Sequence, residues 1–144
     1  MLYFAYGSNM ASAVMLDRCP DASSMGAARL AEHRLAFRLP SQRWGGHAAD
    51  LIQGVGRDVW GVLWAITDDH LSTLDVFEAR YNRYNVKPFN GRSVEAVTYQ
   101  VKPELVVANG SPDPEYLAHL VAGAIEHELP APYINHLRSF LAEG

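Results

Sequence analysis

Short apolar and aromatic runs occupy the first two thirds of the chain, which is the pattern of β-strands. Residues 2–6 form one such run, and it stops at a Gly-Ser-Asn turn. Residues 59–66 combine β-branched and aromatic side chains and predict a central strand, with Gly61 where another group can approach closely. Further strands are predicted at 27–38, 49–52, 83–89 and 93–101, the last two joined by an Asn-Gly hairpin turn.

Helical signals follow the central strand and dominate the end of the chain. Thr67 and the two aspartates after it supply an N-cap and first-turn carboxylates for a helix that runs to about Ala79. Asp113-Pro114 begins another helix, and a last one follows Pro132. A weaker helix is predicted at 12–19. This order predicts an α+β fold on a small, mainly antiparallel sheet or barrel, and we expect residues 1–144 to form a single domain.

Composition excludes several classes of function. The formal net charge is −4 and the twelve basic residues are scattered, so we expect no nucleic-acid partner. No run reaches the roughly 18 apolar residues of a membrane span, and no signal peptide is visible, so we expect no membrane association and a cytoplasmic location. Cys19 is the only cysteine and the six histidines are dispersed, so neither a disulfide nor a metal or cofactor site is predicted.

The helix after the central strand places two carboxylates, Asp75 and Glu78, on its apolar face. A glutamate is rarely buried without a partner. Spacing alone leaves two interpretations open: Glu78 pairs with an arginine such as Arg80 or Arg83 or is simply solvated, or it lies in a pocket where its chemistry is used.

The loop that follows the first strand is open to two interpretations as well. Gly7, Ser8 and Asn9 are typical turn residues, and a turn requires no ligand. Consecutive backbone N–H groups after a strand also form a nest for an anion or a polarised carbonyl, and glycine lets a ligand come near. The loop alone does not decide between these interpretations.

The two features together closely resemble the γ-glutamylcyclotransferase family. Residues 3–9, Tyr-Phe-Ala-Tyr-Gly-Ser-Asn, resemble its signature, and three later segments resemble the family in the right order. They are Trp-Gly-Gly at 44–46, Val-Trp-Gly-Val-Leu-Trp at 59–64 and Leu-Ser-Thr-Leu-Asp-Val-Phe-Glu at 71–78. The likeness covers essentially the whole chain. It departs at Ala79, where the family often has glycine, and the stretch to Tyr84 is one residue shorter than in the animal enzymes.

The resemblance implies a fold, a reaction and a site. The fold is a small β-barrel with flanking helices, and the reaction converts a γ-glutamyl compound to 5-oxoproline and a free amine without a cofactor. Glu78 is the implied acid/base residue. The implied substrate-binding residues are Tyr3, Tyr6, Gly7, Ser8, Asn9, Tyr84 and Tyr99, and roles for Tyr116 and for the Trp44–Gly46 loop are left open.

Three questions stay open at the level of sequence. The protein could be a non-catalytic module that binds a small ligand or a peptide on the same fold. As an enzyme it could release an amino acid or an amine, because variable loops near 41–47 and 82–84 would contact the leaving group. A homodimer is also possible, and the sequence does not determine the oligomeric state.

Overall fold

The computed structural model describes residues 1–41 and 45–142, with side chains described through Leu141. Five strands of the described residues form one sheet in the order β2-β3-β1-β5-β4. Their bounds are β1 Leu2–Ala5, β2 Ser23–Pro40, β3 His47–Ala65, β4 Tyr81–Val86 and β5 Ala96–Val101. Only the β1–β5 pair among these strands is parallel. The predicted α+β fold is confirmed, but these five strands do not close, so "barrel" describes the sheet only loosely.

Strands β2 and β3 form one long antiparallel hairpin. The runs predicted at 49–52 and 59–66 are therefore parts of a single strand, β3. Between them the ladder breaks, because Ala31 pairs with Asp58 while His33 pairs with Gln53, and residues 54–57 form a bulge. Gly56 has a φ of 72°, a conformation that glycine adopts without strain. The bulge explains why sequence periodicity divided this strand in two.

The centre of the sheet is β1, which lies between β3 and β5. Phe4 and Ala5 are fully buried there. A Cβ at Gly61 would collide with the carbonyl oxygen of Ala5 and with the Phe4 ring, so glycine permits the close approach that the sequence predicted. The pairing of β1 with β3 ends at Ala5, and the loop at Gly7 follows.

Four α-helices surround the sheet within the described residues: α1 Ser12–Arg18, α2 Asp68–Phe77, α3 Pro114–Glu126 and α4 Ala131–Ala142. A short 3₁₀ helix, Ser8–Met10, joins β1 to α1. Helix α2 begins with a capping box, in which Thr67 Oγ1 accepts from the amide of His70 (3.1 Å) and His70 Nδ1 accepts from that of Thr67 (3.2 Å). Of the helices described, none combines the length and apolar composition needed to span a membrane.

Helix α3 supports the 3₁₀ helix from behind. The two are in contact through Gly123, where a Cβ would lie 2.6 Å from the amide nitrogen of Ala11 and 2.7 Å from the carbonyl carbon of Met10. Asp113 caps α3 by accepting from the amides of Glu115 (2.9 Å) and Tyr116 (3.3 Å), as the sequence predicted. The start of α3 therefore brings Tyr116 beside Gly7, with 3.5 Å between its hydroxyl and the position of a Cβ on that glycine.

Candidate active site

A cavity of about 270 Å³ lies where the end of β1, the end of α2 and the start of α3 meet. Most residues implied by the family resemblance line it: Tyr3, Tyr6, Gly7, Ser8, Asn9, Glu78 and Tyr99. Tyr116, whose role was left open, lines it too. The sequence did not single out Arg18, Leu39, Ala48, Ala49, Phe77, Arg80 and Tyr81 for this site.

Glu78 lies directly after the last residue of α2. Its amide nitrogen donates to the carbonyl oxygen of Leu74 (2.8 Å), and its own carbonyl oxygen accepts from the amide of Tyr81 (2.9 Å), so the backbone is held on both sides. The side chain is only 17% exposed. Helix α2 thus delivers a carboxylate to the cavity wall, as the pocket interpretation of Glu78 requires.

The partners of Glu78 are not the arginines that the sequence suggested. Arg80 Nη1 donates to the carbonyl oxygen of Pro40 (2.8 Å), and Arg83 pairs with Asp75 instead. Glu78 Oε1 lies 3.7 Å from Nη1 of Arg18 and 3.4 Å from Nδ2 of Asn9. Glu78 is therefore both partnered and in the cavity, so the two interpretations are not exclusive.

Asn9 is the centre of the polar network. The residue is 3% exposed. Its Nδ2 donates to the hydroxyl of Tyr3 (3.0 Å) as well as to Glu78, and its Oδ1 accepts from Nη1 of Arg18 (2.9 Å). Trp64 Nε1 donates to the Asn9 carbonyl oxygen (3.1 Å). A buried amide with each of these groups satisfied holds a single orientation.

Burial raises the pKa of the Glu78 carboxyl above its usual value, against the charge of Arg18 and the hydrogen bond from Asn9, which both lower it. Desolvation is the largest of these effects. A carboxyl group in this state takes up and returns a proton closer to neutral pH than an exposed glutamate does.

Five tyrosines give the cavity a neutral, hydrogen-bonded wall. Burial raises the pKa of each phenol, so all five stay protonated at neutral pH: Tyr3, Tyr6, Tyr81, Tyr99 and Tyr116. Their hydroxyls are engaged. For example, Tyr6 donates to the Tyr99 carbonyl oxygen (2.6 Å) and Tyr81 to that of Ala49 (2.8 Å). Among the described residues that line the cavity, charge is confined to Arg18, Glu78 and Arg80.

The loop at Gly7 leaves two amides outside the hydrogen bonds of its turn. The hydrogen bonds of the 3₁₀ helix begin with the amide of Met10, which donates to the carbonyl oxygen of Gly7 (3.1 Å). The amide of Ala11 donates to the carbonyl oxygen of Ser8 (3.2 Å). The amides of Ser8 and Asn9 precede these donors, so they are not used in the turn. Both residues line the cavity with Gly7.

Tyr84 is the predicted site residue that the structure does not bring to this cavity. It faces Thr98 across the β4–β5 ladder, whereas Tyr99 faces Arg83. Because successive side chains of a strand point to opposite faces, Tyr84 and Tyr99 cannot share one. The Tyr84 hydroxyl instead lies 2.9 Å from Nε2 of His33. Of the loop left open at 44–46, Trp44 lies outside the described residues.

Two of these additional cavity residues, Arg18 and Tyr81, lie near segments that the sequence did predict. Arg18 is a lone cation at the end of the weak helix predicted at 12–19, and Tyr81 is an aromatic residue three positions after Glu78. Neither position stands out without the fold. Among the described residues, no three His, Cys, Asp or Glu side chains cluster as a metal site would need.

Comparison with known proteins agrees with this geometry. A model of the AIG2-like family matches residues 58–137. The γ-glutamylcyclotransferase of Bos taurus is 33% identical to the chain, over 96% of this chain and 77% of that protein, and the Homo sapiens enzyme of that name is 31% identical over the same shares. A solved structure of a γ-glutamyl cyclotransferase superimposes with a TM-score of 0.89 at 31% identity, over 96% of this chain and 86% of that one. The chain therefore belongs to the AIG2-like family, together with these γ-glutamylcyclotransferases.

Proposed function

We propose that this enzyme is a γ-glutamylcyclotransferase, which converts a γ-glutamyl compound to 5-oxoproline and releases the attached amine. The single observation that carries the proposal is that Glu78 lines the same cavity as the loop formed by Gly7, Ser8 and Asn9. One small molecule in a cavity of about 270 Å³ can contact both. The names of the relatives support the same reaction.

The reaction needs no nucleophile from the protein. In a γ-glutamyl compound the α-amino group reaches its own γ-carbonyl carbon and closes a five-membered lactam, while the bond to the leaving amine breaks. Because the nucleophile is tethered, the bimolecular cost of about 7 kcal/mol or more in favourable cases does not arise, and the protein has to hold the two atoms in a near-attack arrangement. The hydrogen-bonded tyrosine wall is suited to this task, because its side chains are fixed before substrate enters.

Glu78 is the proposed proton carrier. As a carboxylate it accepts a proton from the substrate α-ammonium group, which makes the amine nucleophilic, and it returns the proton to the departing nitrogen. The raised pKa of this carboxyl supports both steps, because a group whose pKa approaches the working pH both takes up and gives back a proton readily.

The loop after β1 is the proposed electrostatic support. The amides of Ser8 and Asn9 would bind the substrate α-carboxylate or the oxyanion that develops on the γ-carbonyl oxygen, and Gly7 leaves room for the ligand. Loss of one oxyanion donor typically costs roughly 3 kcal/mol of transition-state stabilisation. Tyr3, Tyr6 and Tyr99 are proposed to shape the same part of the cavity.

The test is turnover by the purified protein. Wild-type protein is incubated with γ-glutamyl amino acids, γ-glutamyl amines and glutathione, and 5-oxoproline is measured by mass spectrometry. Glu78→Gln, which keeps the size of the side chain, is expected to fold and to lose at least about 100-fold in kcat, the lower range for a general acid/base. Glu95→Gln, at an exposed position outside the cavity, is the matched control and should keep full activity.

Retained activity in Glu78→Gln would exclude the proposed role of that residue. A wild-type protein that binds γ-glutamyl compounds but turns over none of them would favour the non-catalytic module. The panel also separates amino-acid from amine leaving groups. Cytoplasmic location, a homodimer and the absence of a nucleic-acid partner stay predictions.

A further inference from the structure

Arg18, the last residue of α1, is held on three sides. Its Nη1 donates to Oδ1 of Asn9 (2.9 Å) and lies 3.7 Å from Oε1 of Glu78. Its guanidinium carbon lies 4.5 Å above the centre of the Phe77 ring. The side chain is only 10% exposed, which is unusual for an arginine that does not pair fully with a carboxylate. These contacts fix the guanidinium between the 3₁₀ helix and the end of α2.

The distances indicate what Arg18 does to Glu78. A separation of 3.7 Å is too long for a strong hydrogen bond but well within the range of charge attraction. The Asn9 amide bridges the pair, accepting from Arg18 and donating to Glu78. Arg18 therefore acts on Glu78 through charge and through the orientation of Asn9.

The other titratable groups around Glu78 do not supply a compensating charge at comparable distance. The phenols that interact with it electrostatically are neutral: Tyr3, Tyr6, Tyr81, Tyr99 and Tyr116. Cys19, next to Arg18, is a buried thiol whose pKa is raised by burial. Arg80 lines the cavity and donates to the Pro40 carbonyl oxygen, and no ion pair joins it to Glu78 within the described residues. Arg18 is thus the cation paired with Glu78.

We propose that Arg18 is a positioning residue for Glu78, which holds the carboxylate against Asn9 and keeps it in the ionised form that accepts a proton. The inference rests on the proposed function of Glu78 for its catalytic consequence. An arginine close to a carboxyl group typically lowers the carboxyl pKa by about 1–3 units. Without Arg18, burial would act against Asn9 alone, and Glu78 would stay protonated up to a higher pH.

The sign of the effect is defined. Activity that depends on an ionised Glu78 is lost as the pH falls through the pKa of that carboxyl. Arg18→Gln is expected to move this midpoint to higher pH by about one unit or more, and Arg18→Lys, which keeps the charge but not the planar fork, to move it by less. Activity well above the midpoint should be retained in part, since the carboxylate is then ionised in both variants.

Two measurements test the proposal. In protein labelled with ¹³C at the glutamate δ-carbon, the Glu78 signal is assigned by its absence in Glu78→Gln, and its titration midpoint is compared between wild type and Arg18→Gln. The pH profile of kcat/KM is then measured on the same proteins. Arg29→Gln is the matched control, because Arg29 also pairs with an aspartate (Asp58, 3.6 Å) and lies near a phenylalanine ring (Phe89, 5.9 Å), outside the cavity. It should leave both midpoints unchanged.

Each outcome decides the matter. An upward shift of both midpoints supports the proposal. Unchanged midpoints with a raised KM would overturn it and make Arg18 a substrate contact, and unchanged midpoints with a uniform loss of kcat would reduce it to a structural residue. If Arg18→Gln does not fold, an unshifted midpoint in Arg18→Lys counts against the proposal and a smaller upward shift supports it. Failure of the proposed function is distinguishable, because the ¹³C titration reads the Glu78 carboxyl whether or not any substrate is turned over.

Discussion

Tyr3 and Tyr84 show how the surroundings of a single hydroxyl decide its role. The Tyr3 hydroxyl accepts from the Asn9 side chain (3.0 Å) inside the cavity wall. The Tyr84 hydroxyl meets Nε2 of His33 (2.9 Å), and Nδ1 of the same ring lies 2.8 Å from the Ala31 carbonyl oxygen. Because a carbonyl oxygen only accepts, Nδ1 carries the proton and Nε2 of the neutral ring accepts from Tyr84. Mutation to phenylalanine removes one hydrogen bond from either tyrosine. Only in Tyr3→Phe is the lost partner Asn9.

We expect the two substitutions to separate stability from activity. Tyr3→Phe and Tyr84→Phe should each lower the free energy of unfolding by about 1 kcal/mol, the usual net worth of one hydrogen bond. Tyr3→Phe should also lower kcat/KM about tenfold, since losing roughly 1.4 kcal/mol of positioning at Asn9 corresponds to that factor. Tyr84→Phe should leave kcat/KM within about twofold. Urea unfolding and steady-state kinetics check both values, and equal losses of activity would contradict the placement of Tyr84 outside the site.

The sequence predicted those parts of the candidate site that belong to segments resembling the family. Glu78 and the Gly7–Asn9 loop belong to local segments that resemble the family, and the structure brings them together. Arg18 belongs to no such segment. It could not be predicted, because its place in the site depends on a contact with Glu78, sixty positions away. The position of Tyr84 outside this cavity could not be predicted for a different reason: a tyrosine on a strand faces one side or the other according to register, and residue types alone do not give the register.

At the scale of elements, strands were harder to delimit than helices. Caps gave the starts of α2 and α3 correctly, because Thr67 and Asp113 act within one turn of their own position. The strand β3 was divided because the bulge at 54–57 interrupts alternation and carries two glycines. A bulge is stabilised by the partner strand, here partly through Glu32, whose Oε2 accepts from the amide of Gly56 (3.1 Å). Such long-range support leaves little trace in the local pattern.

Helix α3 offers a prediction that opposes helix propensity. Gly123→Ala would ordinarily stabilise a helix by roughly 0.5–1 kcal/mol. Here a Cβ would lie within 2.7 Å of backbone atoms of Met10 and Ala11, so α3 has to move away from the 3₁₀ helix. We expect Gly123→Ala to lower the free energy of unfolding by about 1–3 kcal/mol. It should also reduce kcat, because the displaced segment carries Asn9.

The neighbouring position supplies the control for this prediction. Ala122 is exposed on the same helix, and Ala122→Gly should cost about 1 kcal/mol from propensity alone while leaving kcat unchanged. Urea unfolding and steady-state kinetics on the two variants are the measurements. A more stable Gly123→Ala variant with normal turnover would show that α3 does not press on the loop as described.

At the scale of the whole molecule, a buried carboxylate of β3 connects that strand to β5, with which it does not pair. Asp50 of β3 is 1% exposed, and its Oδ1 accepts from the amide of Leu51 (2.8 Å) and from that of Val101 on β5 (2.9 Å). Its Oδ2 receives the guanidinium of Arg38 on β2, at 3.0 Å from Nη2 and 3.1 Å from Nε. In the sheet, β1 lies between β3 and β5. The contacts of Asp50 therefore hold the hairpin of β2 and β3 against β5, which is on the other side of β1. Ala49, the residue before Asp50, lines the cavity, so this connection also places part of the site.

Removing the charge at Asp50 should therefore be costly for the entire fold. Breaking a buried ion pair from one side typically costs about 3–5 kcal/mol, and because the Arg38 side chain is 30% exposed we expect Asp50→Asn to cost about 2–4 kcal/mol. The asparagine NH₂ group would face either an amide donor or the guanidinium, and neither can accept.

Asp58→Asn is the matched control on the same strand, since Asp58 pairs with Arg29 at 3.6 Å with both side chains about 40% exposed. An exposed pair of this kind is worth less than about 1 kcal/mol. Urea unfolding of the two variants should differ accordingly, and equal losses would mean that Asp50 does not hold the hairpin over β5.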